Sequence, residues 1–305
     1  MEEFKKRIKS ALESILGDSY EITETEVTKV NDSKHPTLVI REKKSLVGAT
    51  IYLDNYYSQG DDEPISSITK RIIDTICNSE KPNIDSDFVE KLMDFESVKD
   101  NIVFKLVNKD LNKEYLKGKT YIDYMDLAIV FCIVVEKNAE TYSTVVVTDR
   151  LFNNWDIDVE VLLGIAKENA IRLFPADIQS LESVVKCFIA ESNQNVSEDD
   201  LEALDMPYDI FVCSNRQKMS GASTILYDGL LKDLAVDLDV NEFIIIPSSI
   251  HEVLIIPSMN NDTGDYMYYK SLVKEVNNTE VSKEEILSYN IYLYSAKDDK
   301  VAMID

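Results

Sequence analysis

FIIIPSSIHEVLIIP, residues 243–257, reads as two strands and the turn between them. Phe243–Ile246 and Val253–Ile256 are unbroken apolar runs, each followed by a proline, Pro247 and Pro257. Proline has no N–H to give to a ladder, so it marks where a strand stops. Ser248, Ser249, Ile250, His251 and Glu252 form a mostly polar insert between the runs. A buried hairpin is the simplest structure for this pattern.

Downstream of it, Tyr269, Leu272, Val273 and Val276 recur at helical spacing and predict a helix buried along that face. Ser282 with Glu285 reads as a capping box opening a short helix, and Ile291–Tyr294 as the last strand. Upstream, a helix over Gly229–Leu238 is expected to bury Leu230, Leu231, Leu234 and Leu238. Ile210–Cys213 and Ser223–Tyr227 read as strands. The stretch Glu191–Asp205 carries six acids and no base, the composition of a flexible connector or mobile loop. Before it, helices are expected from about Asp158 and through Leu181–Ile189.

The first part of the chain opens with an amphipathic helix, on which Phe4, Ile8, Ala11, Leu12 and Ile15 share a face and Gly17 is placed to end it. Tyr20–Val30, Thr37–Arg41 and Ala49–Leu53 predict a three-stranded antiparallel meander. A helix starting at Pro64 buries Ile65, Ile68, Ile72 and Ile76, and Pro82–Asp87 reads as a linker. Ile102–Val107 is a strand, and Asp126–Glu136 with Tyr142–Thr148 a hairpin. The arm Asp126–Glu136 is apolar on both faces, which predicts a central strand covered by helices. The pattern changes near residue 150. The expectation is therefore an α+β fold with antiparallel sheets and packed helices in two halves, 1–150 and 151–305, divided between Thr148 and Asp158.

The 305 residues carry a net charge of −24, which repels nucleic-acid phosphates and anionic lipid. No nucleic acid and no membrane is expected as a partner. The longest apolar stretch, Leu127–Val135, is too short to span a bilayer, and the opening MEEFKKRIKSALESIL is not a signal peptide. Cys77, Cys132, Cys187 and Cys213 lie far apart beside apolar runs, as buried free thiols do. A cytoplasmic location follows as the expectation.

Chemistry-bearing motifs are sparse. The histidines are His35 and His251. His251-Glu252 begins like a zincin, but the second histidine would fall at Ile255, so no metal is expected. Asp237, Asp239 and Asn241 begin like an EF-hand loop and fail at Glu242 and Ser248. Eight glycines build no phosphate cradle, and no cofactor is expected. His251 could act as a general base for Ser248, Ser249 or Cys213, oriented by Glu252. The competing reading is a histidine on a polar turn. Tyr56 and Tyr57 at a loop tip, and Trp155, are candidate binding residues, because Tyr and Trp are favoured at interfaces. Trp155 equally suits a core anchor at a helix entry.

Four stretches resemble a known family: PTLVIREKK…ATIYLDNYY, DLAIVFCIVVE, LFNNWDIDVEVLLGIAKENA and ILYDGLLKDLAVDLDVNEFIIIPSSIHEVLIIP. They resemble the bacterial proteins grouped as domain of unknown function 5688. The helix entry and the region around the hairpin also resemble the YtpQ family. The first resemblance implies a cytoplasmic bacterial protein forming one family unit, and it supplies no catalytic residues. The residues therefore favour a non-enzymatic interaction or regulatory protein with an unknown protein partner. The alternatives are a hydrolase using His251 with Cys213, Ser248 or Ser249, and a small-ligand sensor.

Overall fold

The computed structural model describes residues 1–45, 47–57, 63–78, 86–137, 142–192, 209–258 and 266–304. Among these the chain is α+β, with three antiparallel sheets. It divides into two compact units, Met1–Met93 and Asp94–Asp305. Most of the acidic stretch 191–205 and the linker at 82–87 lie outside the described residues.

In the first unit, α1 (Glu2–Leu16) leads into β1 (Tyr20–Thr28), β2 (Lys34–Glu42) and β3 (Gly48–Tyr52), followed by α2 (Ile65–Asn78) and α3 (Ser86–Met93). The strands form the expected meander in the order β1-β2-β3. Ile8 and Leu12 of α1, Leu38 and Ile40 of β2, and Ile68, Ile72 and Ile76 of α2 close one core, with Ile51 and Leu53. Alternation decides this: Leu38 and Ile40 face the helices, so His35 and Thr37 belong to the opposite face of β2.

The second unit contains α4 (Phe95–Val98), β4 (Ile102–Asn108), β5 (Tyr121–Tyr124), β6 (Leu127–Lys137), β7 (Tyr142–Val146), α5 (Asp149–Trp155), α6 (Val159–Leu173), β8 (Ala176–Ser180) and α7 (Leu181–Ser192). Then come β9 (Phe211–Asn215), α8 (Leu230–Asp237), β10 (Glu242–Pro247), β11 (Val253–Pro257), α9 (Tyr266–Thr279), β12 (Ile291–Ser295) and β13 (Lys300–Ile304). β6 is central, with β4 on one side and both β5 and β7 on the other. Leu127–Val134 are all buried, as a strand apolar on both faces requires. The second sheet runs β13-β12-β10-β11-β9-β8. The hairpin 243–257 lies at its centre, with Phe243 opposite Pro257 and Pro247 opposite Val253.

Several expectations are corrected. The chain divides after Met93, not between Thr148 and Asp158. Residues around 148 are bound to the strands before them: the Thr120 N–H donates to Val147 O at 3.0 Å and the Asp149 N–H to Gly118 O at 3.1 Å. The change of pattern near 150 is a switch from strand to helix inside one unit. The segment Ser223–Tyr227, expected as a strand, falls mostly in a 3-10 helix, Gly221–Leu226. There the Ser223 and Thr224 hydroxyls bond the Ser220 and Gly221 carbonyls at 2.8 and 2.7 Å, which favours a tight turn over a ladder. Ser282 and Glu285 open no helix; the Glu285 N–H closes a turn onto Ser282 O at 2.9 Å. β12 is not last, because β13 pairs with it. On α9 only Val273 of the expected apolar face is buried, and Leu272 and Val276 are exposed.

Asp126, at the turn between β5 and β6, ties the two sheets of this unit together. Its carboxylate accepts the Ser288 hydroxyl at 2.5 Å, the Asn290 amide at 3.0 Å and the Tyr292 hydroxyl at 2.8 Å. No helix among the described residues is long and apolar enough to cross a membrane.

Candidate functional site

The strand β4 buries every residue along its length except Lys105, which is half-buried. Lys105 lies opposite Val130, and Val103 opposite Cys132, so the pleat puts Lys105, Cys132 and Thr144 on one face of the first sheet. The Lys105 Nζ is 5.4 Å from the centre of the Tyr115 ring. Lys119 approaches the same ring at 4.1 Å. Among the described residues, no carboxylate oxygen lies within 4.0 Å of the Lys105 Nζ. In a chain with 56 acids, a half-buried ammonium with no carboxylate within 4.0 Å among the described residues is the anomaly of the structure.

A cavity of about 180 Å³ opens in front of it. Its walls include Cys132, Tyr142, Ser220, Ser223 and Tyr227. The volume equals that of about six waters, enough for a small ion and too little for a nucleotide. Tyr142 lies against Phe174 at 4.7 Å and directs its hydroxyl at Met219 O, 3.4 Å away. Tyr227 donates to Phe174 O at 2.9 Å.

The loop that closes the cavity is conformationally exacting. Lys218 and Ser220 both adopt positive φ, 52° and 53°. A Cβ on Gly221 would meet Ser214 Oγ at 2.2 Å and His251 O at 2.5 Å, so only glycine fits. The Ser220 N–H donates to His251 Nδ1 at 3.1 Å, and the Ser214 hydroxyl to His251 O at 2.7 Å. Residues 218–224 and the turn 248–252 are thus one bonded body.

Protonation states define what the pocket can do. Desolvation pulls the Lys105 ammonium pKa down; the negative charge that Cys132, Tyr115 and Tyr142 carry once ionised and a hydrogen bond with Tyr115 pull it up, and the net direction is up. Lys105 is therefore a cation and not an amine nucleophile. Burial pushes the Cys132 thiol up, against the pull of Lys105, so it stays protonated. Burial also raises Tyr142 and Tyr227. The wall presents a charge, with neither a thiolate nor a phenolate, and the Tyr142, Tyr227 and Ser223 hydroxyls donate to backbone carbonyls.

Larger grooves carry balanced charge instead. One of about 620 Å³ is lined by Lys109, Lys113 and Lys117. Each is paired: with Asp123 at 2.6 Å, Asp110 at 3.0 Å and Glu114 at 2.6 Å.

The candidates read from the sequence are placed as follows. His251 uses Nδ1 as an acceptor for Ser220, which puts the proton on Nε2, facing Glu285 Oε1 at 3.8 Å. Ser249 Oγ accepts the backbone N–H of His251 at 3.0 Å, and Ser248 Oγ donates to Glu252 Oε1 at 3.4 Å. Cys213 is fully buried in β9 with Sγ 3.2 Å from Thr224 Oγ1, and burial pushes its thiol up to about 11. The imidazole of His251 therefore hydrogen-bonds a loop N–H, and Ser248, Ser249 and Cys213 each bond elsewhere. Trp155 ends α5 buried, 5.7 Å from Phe95. In the first unit, Tyr56 is half-buried under Arg71 at 5.3 Å, and Tyr57 lies against Phe4 at 5.2 Å. Sequence reasoning missed Lys105. The signal was there: one lysine inside the apolar run Ile102–Val107.

A family model described as "Family of unknown function (DUF5688)" matches residues 1–296, and the chain belongs to that family. None of the comparisons returns the YtpQ family. No curated protein and no solved structure matches.

Proposed function

We propose that this member of the DUF5688 family is a cytoplasmic regulatory protein that senses a small anion through the Lys105 pocket, a site with no catalytic role of its own. The observation that carries the reading is the Lys105 ammonium, which faces a cavity of about 180 Å³ with no carboxylate partner among the described residues. A carboxylate or phosphate group entering there gains a charge-assisted hydrogen bond in a partly desolvated site, where such bonds are strongest. Tyr142, Ser220 and Ser223 line the same cavity beside that charge. The Ser220–His251 bond carries any displacement of the pocket wall to the turn 248–252, which gives a protein partner a place to read the ligand.

A thermal-shift screen with phosphate, acetate, malonate and citrate at matched ionic strength tests this. At least one anion is expected to raise the Tm of the full chain by several degrees, and Lys105→Met to remove that shift while folding normally. A flat response across the panel in the wild-type protein contradicts it.

A further inference from the structure

The first unit holds a second constellation, built on the turn between β1 and β2. Asn31 and Asp32 take positive φ, 59° and 50°, a conformation that Asn and Asp tolerate better than other side chains. The Lys29 N–H closes the turn onto Ser33 O at 2.8 Å. This brings the Ser33 hydroxyl to 2.7 Å from His35 Nε2. On its other side, His35 Nδ1 is 2.9 Å from Asp54 Oδ2, just after β3. The Tyr52 ring meets the imidazole edge-on at 5.8 Å and carries the Lys29 ammonium over it at 3.9 Å.

Hydrogen-bond chemistry fixes the direction of this chain. An ionised carboxylate only accepts, so His35 Nδ1 must carry the proton that it shares with Asp54. When the ring is neutral, Nε2 is the acceptor and the Ser33 hydroxyl the donor of the 2.7 Å bond. The result is a serine whose proton already points at a base oriented by a carboxylate. The His35 side chain is 13% exposed and Asp54 40%, and Ser33 is half-buried, so the ring is largely shielded while the serine keeps contact with solvent.

We propose that Ser33, His35 and Asp54 form a nucleophilic site that accepts the acyl group of small esters. Ser33 Oγ attacks the ester carbonyl carbon, and its proton passes to His35 Nε2. The carbonyl oxygen becomes an oxyanion, with Lys29 the nearby cation on the Tyr52 ring. The carbon–oxygen bond to the leaving alcohol breaks as the oxyanion collapses, and His35 returns the proton to that alcohol. Water, deprotonated by His35, then attacks acyl-Ser33 and releases the carboxylic acid and the free serine. Asp54 orients the ring and stays ionised throughout.

The test is labelling of the full chain with a fluorophosphonate probe, located by peptide mass, together with hydrolysis of 4-nitrophenyl acetate. Labelling is expected on Ser33. His35→Gln is expected to slow both readouts by about a hundredfold, with the circular dichroism spectrum unchanged. Asp54→Asn is expected to slow them as well. Should Ser33→Ala fail to fold, Ser33→Cys supplies a second readout: its thiol should react with iodoacetamide faster than the exposed Cys77 and Cys187, and lose that advantage when His35→Gln is added. An unlabelled wild-type protein, a label on another residue, or rates untouched by His35→Gln would overturn the proposal.

Discussion

The hydroxyl of Tyr292 donates to the carboxylate of Asp126 at 2.8 Å, across 166 residues of sequence. This bond joins the β5–β6 turn to the strand β12 and so couples the two sheets of the second unit. Burial raises the Tyr292 phenol, with the negative charge of Asp126 adding to it. Asp126→Asn keeps the shape but presents N–H groups where donors already converge. It is expected to lower the stability of this unit by about 3 kcal/mol, and Tyr292→Phe by about 1 kcal/mol, in urea unfolding.

Gly221→Ala is expected to be among the most damaging single-methyl changes in the chain. The new carbon would sit 2.2 Å from Ser214 Oγ, which donates to His251 O, and 2.7 Å from the backbone nitrogen of Asn215. Backbone on one side and a bonded hydroxyl on the other leave nothing flexible to yield. A loss of about 3 kcal/mol is expected from urea unfolding, together with loss of the anion response.

His251→Ala removes the acceptor for the Ser220 N–H. The expected cost is about 1 kcal/mol, with the anion bound more weakly but not abolished. Ester hydrolysis at Ser33 should be unchanged, and a parallel measurement of all three quantities checks this.

Alkaline pH should destabilise the fold, and Cys213 contributes to this in a defined window. Burial pushes its thiol from an ordinary 9.0 up to about 11 in the folded state. The unfolded chain therefore loses this proton first, the native state binds more protons between those values, and stability falls as pH rises from about 9 to 11. Cys213→Ala is expected to start lower, because it loses buried volume, and to show a flatter slope in that interval in urea unfolding.

Most of the fold was legible because its strands are either strictly alternating or apolar throughout. The hairpin 243–257, the central strand β6 and the meander follow from local pattern alone. The 3-10 segment 221–226 escaped because its β-branched residues, Thr224 and Ile225, imitate a strand, while the hydroxyl-to-carbonyl bonds that tighten it leave no periodic trace. The unit boundary escaped because a change from strand to helix looks like a change of domain. Asp126 and Tyr292 could not be paired from sequence, since nothing local relates them. The same holds for the site. His251 stood out beside its serines, yet adjacency in the chain placed its imidazole on a loop N–H. Lys105 stands alone in an apolar strand, a signal that a count of charges conceals.

Calorimetric titration of the most stabilising small anion into the wild-type chain and into Lys105→Met tests the central claim most directly. Saturable one-to-one binding is expected, weakened by about thirtyfold in the variant, the loss of about 2 kcal/mol that a charge-assisted bond provides. Equal affinity in the two proteins, or no saturable binding in the wild type, would contradict a sensing role for the Lys105 pocket.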